Sequence, residues 1–396
     1  MSGVRVEILL TAVVGLGALS IDMFLPSLPA IAAAFAAPPA TVQLTVTLFL
    51  VAFAVAQLVY GPLSDRYGRR GVLLGGLALY TVAGLACAVA PSVSVLVAAR
   101  VLQALGGGSG PVVARAVVRD LYEHERAARV FAYMSMVQSL NPMLAPVVGG
   151  YVHEALGWRA VFWVLAGAGV LLTVLMALGV RETNVRRDPT ALDPGQMGRN
   201  VAELLTDRGY LGYVTVNALM FGGQFAFISG SSFVLIGVLG VSPSVFGLCF
   251  GSVAFGIMTG TFLSGRFGGR LGLDRTIRVG TTLGAGAGLV LAGLAWSGVL
   301  TVAAVIVPMY VFAVGVGLTL PNGMAGAIGP FPRMAGLAAA VAGFVQLTGS
   351  AVYSMAVGHF FDGTARPMAT AIALAGCAAA IAFRTLRSGP GRDMLA

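Results

Sequence analysis

Twelve times along this chain a mostly apolar run of about 20 residues recurs, the length an α-helix needs to cross the hydrocarbon of a bilayer. The runs fall near 8–31, 42–62, 71–90, 94–116, 129–152 and 159–180, and again near 210–229, 243–265, 277–297, 299–320, 335–357 and 368–385. Charge is correspondingly scarce. Only 10% of the 396 residues are charged and 58% are hydrophobic, whereas soluble domains carry about 25% charged residues. A charged side chain at the centre of a spanning helix costs at least about 2.5–3.5 kcal/mol. The expected fold class is therefore all-α and integral to the membrane, with the lipid bilayer as a partner.

The formal charge of +9 could suggest a nucleic-acid partner, but its distribution argues against one. The basic residues are all arginine and sit in short segments between the apolar runs, as topology signals do. With the N-terminus inside, the cytoplasmic segments collect Arg66, Arg69, Arg70, Arg115, Arg119, Arg126 and Arg129, then Arg266, Arg270, Arg275 and Arg278. The external loops keep Arg159 and Arg366. Both termini are expected in the cytoplasm, and the membrane is expected to be a bacterial inner membrane. The apolar stretch that follows the basic N-terminus continues through Ile21, Phe24 and Leu25. A signal peptide's core spans about 7–15 residues, so this stretch reads as a retained first helix. Cys87, Cys249 and Cys377 lack paired spacing, so no disulfide framework or metal site is expected.

The one long polar segment, 181–209, holds Arg186, Arg187, Asp188, Pro189, Pro194 and Gly195 and reads as a connector. It divides the chain into a six-helix bundle at 1–180 and another at 210–396. The halves resemble each other: Leu63-Ser64-Asp65-Arg66-Tyr67-Gly68-Arg69-Arg70 after the second run is echoed by Leu263-Ser264-Gly265-Arg266-Phe267-Gly268-Gly269-Arg270 after the eighth. A repeated six-helix unit is the layout of transporters that rock two pseudo-symmetric bundles about a midplane site.

Two charged residues fall well inside these runs. Asp22, in Ser20-Ile21-Asp22-Met23-Phe24-Leu25-Pro26, lies in the outer half of the first. A buried acid favours its neutral form and a nearby cation restores the charged one, so a site that gains and loses a cation can take up and release a proton. The alternative is a structural acid paired for good or shielded in an external vestibule; intramembrane acids are functional by default. Arg100 lies about two turns into the fourth run from the outer face, at a depth similar to that of Asp22. It could be a permanent counter-ion or one that changes partners.

Gly61-Pro62-Leu63-Ser64-Asp65-Arg66-Tyr67-Gly68-Arg69-Arg70 would make a tight cytoplasmic turn, with Gly68 permitting the reversal. Its arginines could be topology signals alone, though an acid such as Asp65 adds little to topology. Asn141-Pro142-Met143-Leu144-Ala145-Pro146-Val147-Val148-Gly149-Gly150 combines two prolines with a glycine pair, a composition suited either to bending or to close packing. Gly106-Gly107-Gly108-Ser109-Gly110 lacks the Gly-Lys-Ser/Thr of a phosphate loop and reads as a packing surface. Met23, Gln138, Asn141, Asn217, Phe221, Gln224, Phe225, Tyr310 and Gln346 are candidates to line a substrate cavity.

The 61–70 segment closely resembles the signature of the major facilitator superfamily, Gly-x-Leu-small-Asp-Arg/Lys-x-Gly-Arg/Lys-Arg/Lys, at every defined position. Arg100-Val101-Leu102-Gln103-Ala104 resembles the superfamily's helix-4 Arg-x-x-Gln-Gly motif, with Ala104 in place of the glycine. The fifth run resembles the antiporter motif, with Ala145 replacing the glycine before Pro146. The 20–29 stretch, Val118-Arg119-Asp120-Leu121-Tyr122, and Gly240-Val241-Ser242-Pro243 with Phe246-Gly247 look like the bicyclomycin/chloramphenicol-resistance (Bcr/CflA) group of drug:proton antiporters. The resemblance implies a twelve-helix major facilitator fold working by alternating access. It implies that Asp22 handles protons and substrate with support from Arg100. It further implies that Asp65 and Arg66, with Arg119, join a cytoplasmic charge cluster that latches the outward-facing state. Some relatives carry a second acid where this chain has Val14, so coupling through a single acid is expected.

The expected function is export of small amphipathic drugs, such as phenicols or bicyclomycin, against inward proton flow. No cofactor is expected beyond the proton gradient, and the protein is expected to be a monomer. Export of a native metabolite is the alternative within transport. A membrane-embedded enzyme would need a clustered polar or metal site, yet His124, His153 and His359 are scattered, and a sensor would normally add a soluble domain.

Overall fold

The computed structural model describes residues 3–184 and 194–387. Arg186, Arg187, Asp188 and Pro189 of the connector lie outside the described residues. The described elements are all helical: α1 (Gly3–Asp22), α2 (Leu28–Ala34), α3 (Pro39–Tyr67), α4 (Arg69–Ala88), α5 (Val93–Gly107), α6 (Ser109–Leu121), α7 (His124–Leu156) and α8 (Trp158–Gly179). There follow α9 (Pro194–Thr206), α10 (Arg208–Ser232), α11 (Pro243–Leu271), α12 (Leu273–Trp296), α13 (Val302–Ile328), α14 (Ala335–His359) and α15 (Arg366–Arg387).

Eleven helical segments among the described residues are long and apolar enough to cross a membrane. The twelfth expected span is α7, which has 33 residues and no charge over 130–152 but carries Gln138, Asn141, Pro142 and Pro146 in its middle. Three spans are assembled from two pieces. The first is α1 and α2 with a 3₁₀ turn at Leu25–Ser27 between them. The fourth is α5 and α6, which meet at Gly108. The seventh is α10 prolonged by a π turn at Phe233–Val238.

Gly108 lies within the glycine-rich segment, whose missing side chains let four elements meet. A Cβ on Gly106 would fall 2.6 Å from the Gly76 carbonyl of α4 and one on Gly108 2.5 Å from Ala56 of α3, while one on Gly110 would fall 2.6 Å from the Val13 carbonyl of α1. Close approach of this kind is how helices associate in lipid, where apolar burial between them adds little. The same device recurs in the second half, where α12 packs on α13 and α15 through Gly280, Gly288, Gly315 and Gly376.

The chain forms two compact units. One comprises Met1–Asp193, Ser229–Ser252 and Gly358–Gly363; the other comprises Pro194–Ile228, Val253–Val357 and Thr364–Ala396. The expected division at the 181–209 connector therefore describes the chain order, while packing assigns two short pieces of the second half to the first unit. The contacts that hold the longer piece, Ser229–Ser252, are specific. Buried Gln43 donates from Nε2 to the Ser229 carbonyl at 3.0 Å, and Glu154 accepts from the Ser244 backbone N–H at 3.0 Å. The connector is also more structured than its composition suggests, because α9 buries Leu204 completely. Asp207 then accepts from the Tyr210 N–H at 2.6 Å, capping the start of α10.

Candidate functional site

Helix α1 ends on Asp22 because the sequence beyond it cannot continue the ladder. Pro26 has no N–H for the Asp22 carbonyl and Pro29 none for that of Leu25. The turn that follows is pinned by a 2.9 Å hydrogen bond between Ser27 Oγ and His153 Nδ1 on α7. Asp22 is 5% exposed, and among the described residues no hydrogen bond or ion pair reaches its carboxyl. An ionised carboxylate here would also face the partial negative charge of the last helix carbonyls. Met23, equally buried, turns its carbonyl oxygen against Gly149 of α7, where any Cβ would overlap it.

Arg100 of α5 is completely buried, yet among the described residues no carboxylate pairs with it. Its guanidinium lies over the rings of Phe24 and Phe49, 4.1 Å from each centroid, with Phe162 at 5.9 Å. Nη1 donates to Gln103 Oε1 at 2.8 Å and Nε to the Thr45 carbonyl at 3.4 Å, while Nη2 has no partner. Next to it, Ser20 donates to the Leu16 carbonyl and so is left to accept from Tyr80 Oη at 2.6 Å. Cys87 Sγ contacts Gln103 Oε1 at 4.0 Å. Asp22 and Arg100 thus form no ion pair among the described residues, although the guanidinium reaches Phe24, two residues beyond the acid. The residues that surround the arginine, Phe24, Phe49, Phe162, Thr45 and Gln103, come from α3, α5, α8 and the turn after α1. A buried phenylalanine is ordinary in any spanning helix, so nothing in the linear sequence marks these rings.

At the other end of α1, the arginine-rich end, the 61–70 segment joins α3 to α4. Gly61 and Pro62 lie within α3, and Gly68 adopts φ 103°, a left-handed value that glycine tolerates. Arg69 pairs with Asp65 and, through Nε at 3.1 Å, with Asp120 of α6; it also donates to Ser64 Oγ at 2.7 Å. Arg70 ties to the end of α8, donating to the carbonyls of Ala177 and Val180 at 2.8 and 2.9 Å. Glu182 accepts from the backbone N–H groups of Arg69 and Arg70 at 2.8 and 3.2 Å. Partial burial pushes the Glu182 pKa up, and backbone donors from Asn184, Arg69, Arg70 and Thr183 outweigh that and hold it below the ordinary carboxyl value. Arg66 lies over the Tyr67 ring at 5.5 Å, and Arg119 is exposed; neither makes an ion pair among the described residues. Asp120, the neighbour of Arg119, joins the cluster instead, and it and Glu182 were not singled out by the sequence reading.

Helix α7 connects these levels. Asn141 donates to the Gly15 carbonyl at 2.7 Å, Gln138 accepts from Arg115 at 3.2 Å, and Glu7 pairs with Arg126 at 2.7 Å. Pro142 and Pro146 lie inside the helix, and Pro146 turns its carbonyl toward Gly247 while Gly150 packs against Pro243. A cavity of about 1190 Å³ opens between α1 and α7 at the arginine-rich end, lined by Glu7, Thr11, Arg126, Arg129, Tyr133 and Met136. On α1 its lining runs from Glu7 to Ala12, which is 10 residues from Asp22, about 15 Å along the helix.

The remaining cavity candidates lie in the second unit. Asn217 donates to the Leu320 carbonyl at 3.2 Å, and its Oδ1 packs on Gly323. Phe221 and Phe225 meet edge to face at 4.9 Å. Gln224 is buried with Oε1 unpartnered. Tyr310 shares a 3.1 Å hydrogen bond with Thr259, and half-buried Gln346 uses its backbone carbonyl to accept from Ser350.

Comparison with known proteins agrees with this architecture. The Major Facilitator Superfamily model matches residues 10–354. The chain is 30% identical over 354 residues to a bicyclomycin resistance protein homolog of Haemophilus influenzae (strain ATCC 51907 / DSM 11121 / KW20 / Rd), covering 88% of this chain and 87% of that protein. It is 30% identical over 349 residues to multidrug resistance protein D of Escherichia coli (strain K12), with the same coverage of 88% and 87%. A crystal structure of a D-xylose–proton symporter superposes with a TM-score of 0.75 at 16% identity, over 96% of this chain and 97% of that one. With eleven membrane-capable helical segments and α7 among the described residues, a motif-bearing turn between the second and third spans and this coverage, the chain belongs to the Major Facilitator Superfamily and is a multi-pass membrane transporter of small molecules, not an enzyme.

Proposed function

We propose that the protein is a proton-coupled efflux antiporter that exports small amphipathic antibiotics of phenicol or bicyclomycin type by alternating access. The observation that carries this reading is the Asp22 carboxyl, buried at the end of a broken helix with no partner among the described residues. An acid so placed exchanges its proton only with water, a cation or a polar substrate that reaches it. That is the requirement for exchanging a proton against a substrate at one site. The names of the two relatives, a bicyclomycin resistance protein homolog and a multidrug resistance protein, support the substrate class. The cavity between α1 and α7, with apolar and charged walls side by side, suits amphipathic molecules. The proton gradient drives the cycle without a cofactor in a monomer. The arginine-rich end and both termini face the cytoplasm of a bacterial inner membrane, following the arginine asymmetry.

The test is drug susceptibility in an efflux-deficient bacterium, comparing wild type with Asp22→Asn across phenicols, bicyclomycin and lipophilic cations. Resistance given by wild type and lost in an equally expressed variant is the expected result. If well-expressed wild type changes no susceptibility, drug export is wrong and a native metabolite becomes the substrate to seek. Full resistance in the variant removes Asp22 from the mechanism.

A further inference from the structure

We infer that Phe24 and Phe49 are positioning residues for proton coupling, an aromatic clamp that holds the Arg100 guanidinium charged but apart from Asp22, so that the carboxyl stays free to bind a proton. The inference rests on the proposed proton role of Asp22 and concerns what keeps that role available.

A guanidinium completely out of water ordinarily needs a carboxylate, and Arg100 has none. What it has is two ring faces at the same 4.1 Å distance and a third at 5.9 Å. A planar, weakly hydrated cation stacks well on such faces, and the attraction grows when the pair is desolvated. The clamp is itself held from behind. Phe24 lies in the turn pinned by Ser27 and His153, with Phe162 5.8 Å away, and Phe49 stacks on Phe53 at 5.9 Å. Phe53 in turn fills the space that Gly17 of α1 leaves open. The hydrogen bonds to Gln103 and Thr45 leave Nη2 without an acceptor, so they do not by themselves fix the guanidinium.

The ionisable groups around Arg100 are few. Tyr80 and Cys87 come from α4, and both are neutral at ordinary pH by their reference values. α3 and α8 offer rings and the Thr45 carbonyl. Asp22 ends α1 two residues before the Phe24 ring that covers the guanidinium, and in this proposal it is the acid that a released guanidinium meets; His153 of α7, bonded to Ser27, is a further titratable group at this turn. Pairing would favour the carboxylate and lower its affinity for a proton. The clamp therefore sets the pH range over which Asp22 can load.

The test needs no substrate. Protein reconstituted in lipid is titrated by infrared spectroscopy, following the carboxylic-acid carbonyl band that Asp22→Asn removes. In Phe24→Leu, Phe49→Leu and the double variant, the midpoint of that band should move down by about 1–3 pH units, the effect of an opposite charge brought close. Phe24→Trp, which keeps a ring face, should restore the wild-type midpoint. Fluorinated phenylalanine at 24 and 49 keeps the ring's shape while weakening its negative face, and a graded downward movement with fluorine number is expected even where a leucine variant fails to fold. An unchanged midpoint in the leucine or fluorinated proteins overturns the clamp and leaves the efflux reading standing. If wild type shows no titrating band sensitive to Asp22→Asn, the proton site itself is wrong and the clamp falls with it.

Discussion

Asp22 and Arg100 show how two buried charges can share a depth and still solve their burial separately. Among the described residues the acid has no ion-pair or hydrogen-bond partner, and the guanidinium lies between the Phe24 and Phe49 rings. Arg100→Lys tests this directly, because it keeps the charge and loses both the flat face and the geometry that reaches Gln103 and Thr45 together. Each charge-assisted hydrogen bond lost costs about 1.5–3 kcal/mol. The lysine variant should therefore melt at a lower temperature in detergent and export poorly despite its intact charge. A lysine variant with wild-type melting and wild-type export would show that any cation suffices there. Tyr80→Phe is the milder companion: it removes the donor to Ser20, whose own proton is already given to Leu16, and should cost about 1 kcal/mol in the same melting assay. Both charged residues were legible in the sequence because charge is so rare in the spans. Their surroundings were not, since the rings around Arg100 come from positions as distant as 24, 49 and 162 and carry no local mark.

Among elements, spacing between helices is set by where glycine is required and where it is idle. Gly106 of α5 lies so close to the Tyr80 backbone and the Gly76 carbonyl of α4 that a methyl group forces the helices apart. Gly75, one residue along on α4, has nothing within 4 Å of where a Cβ would go. Gly75→Ala should leave melting unchanged or improve it, since glycine within a helix costs about 0.5–1 kcal/mol relative to alanine, whereas Gly106→Ala should lower it clearly. Equal effects from the two would refute the packing account. The start of α4 carries its own pH dependence through Glu182, which accepts from the Arg69 and Arg70 N–H groups. Because its folded-state pKa is depressed, its contribution is complete above the ordinary carboxyl value and is lost as pH falls through the lower, folded value. Protection factors at Arg69 and Arg70, with the intrinsic pH dependence of exchange divided out, should fall across that acid window in wild type, and be low and flat with pH in Glu182→Gln. The helix boundaries near this turn could be read from Gly68 and its arginines; the capping acid could not, because it arrives from beyond α8.

For the molecule as a whole, the twelve spans were legible because hydrocarbon imposes length and apolarity on each one separately. How the spans group was less so, because grouping depends on contacts that hydropathy does not encode. Helix α11 makes the point: it is continuous over Pro243–Leu271, yet residues up to Ser252 belong to the first unit and those from Val253 to the second. Its first turns lie against α7, with Pro146 facing Gly247 and Met143 facing Gly251. If the protein works by alternating access, this junction must open once in every cycle, because it lies at the end of α7 away from the arginine-rich turn. Met143 Cγ, the place a cysteine sulfur would take, lies 3.6 Å from where a Cβ at 251 would be, near enough for small side-chain adjustments to close an S–S bond of about 2.0 Å. In a background cleared of Cys87, Cys249 and Cys377, Met143→Cys with Gly251→Cys should crosslink on oxidation and stop transport in proteoliposomes, and reductant should restore it. Each single variant should transport under both conditions. Arrest in the single variants would mean that packing and not the crosslink was at fault. Undiminished transport by the fully crosslinked protein would mean that α7 and the start of α11 move as one body, and that the opening lies elsewhere in the fold.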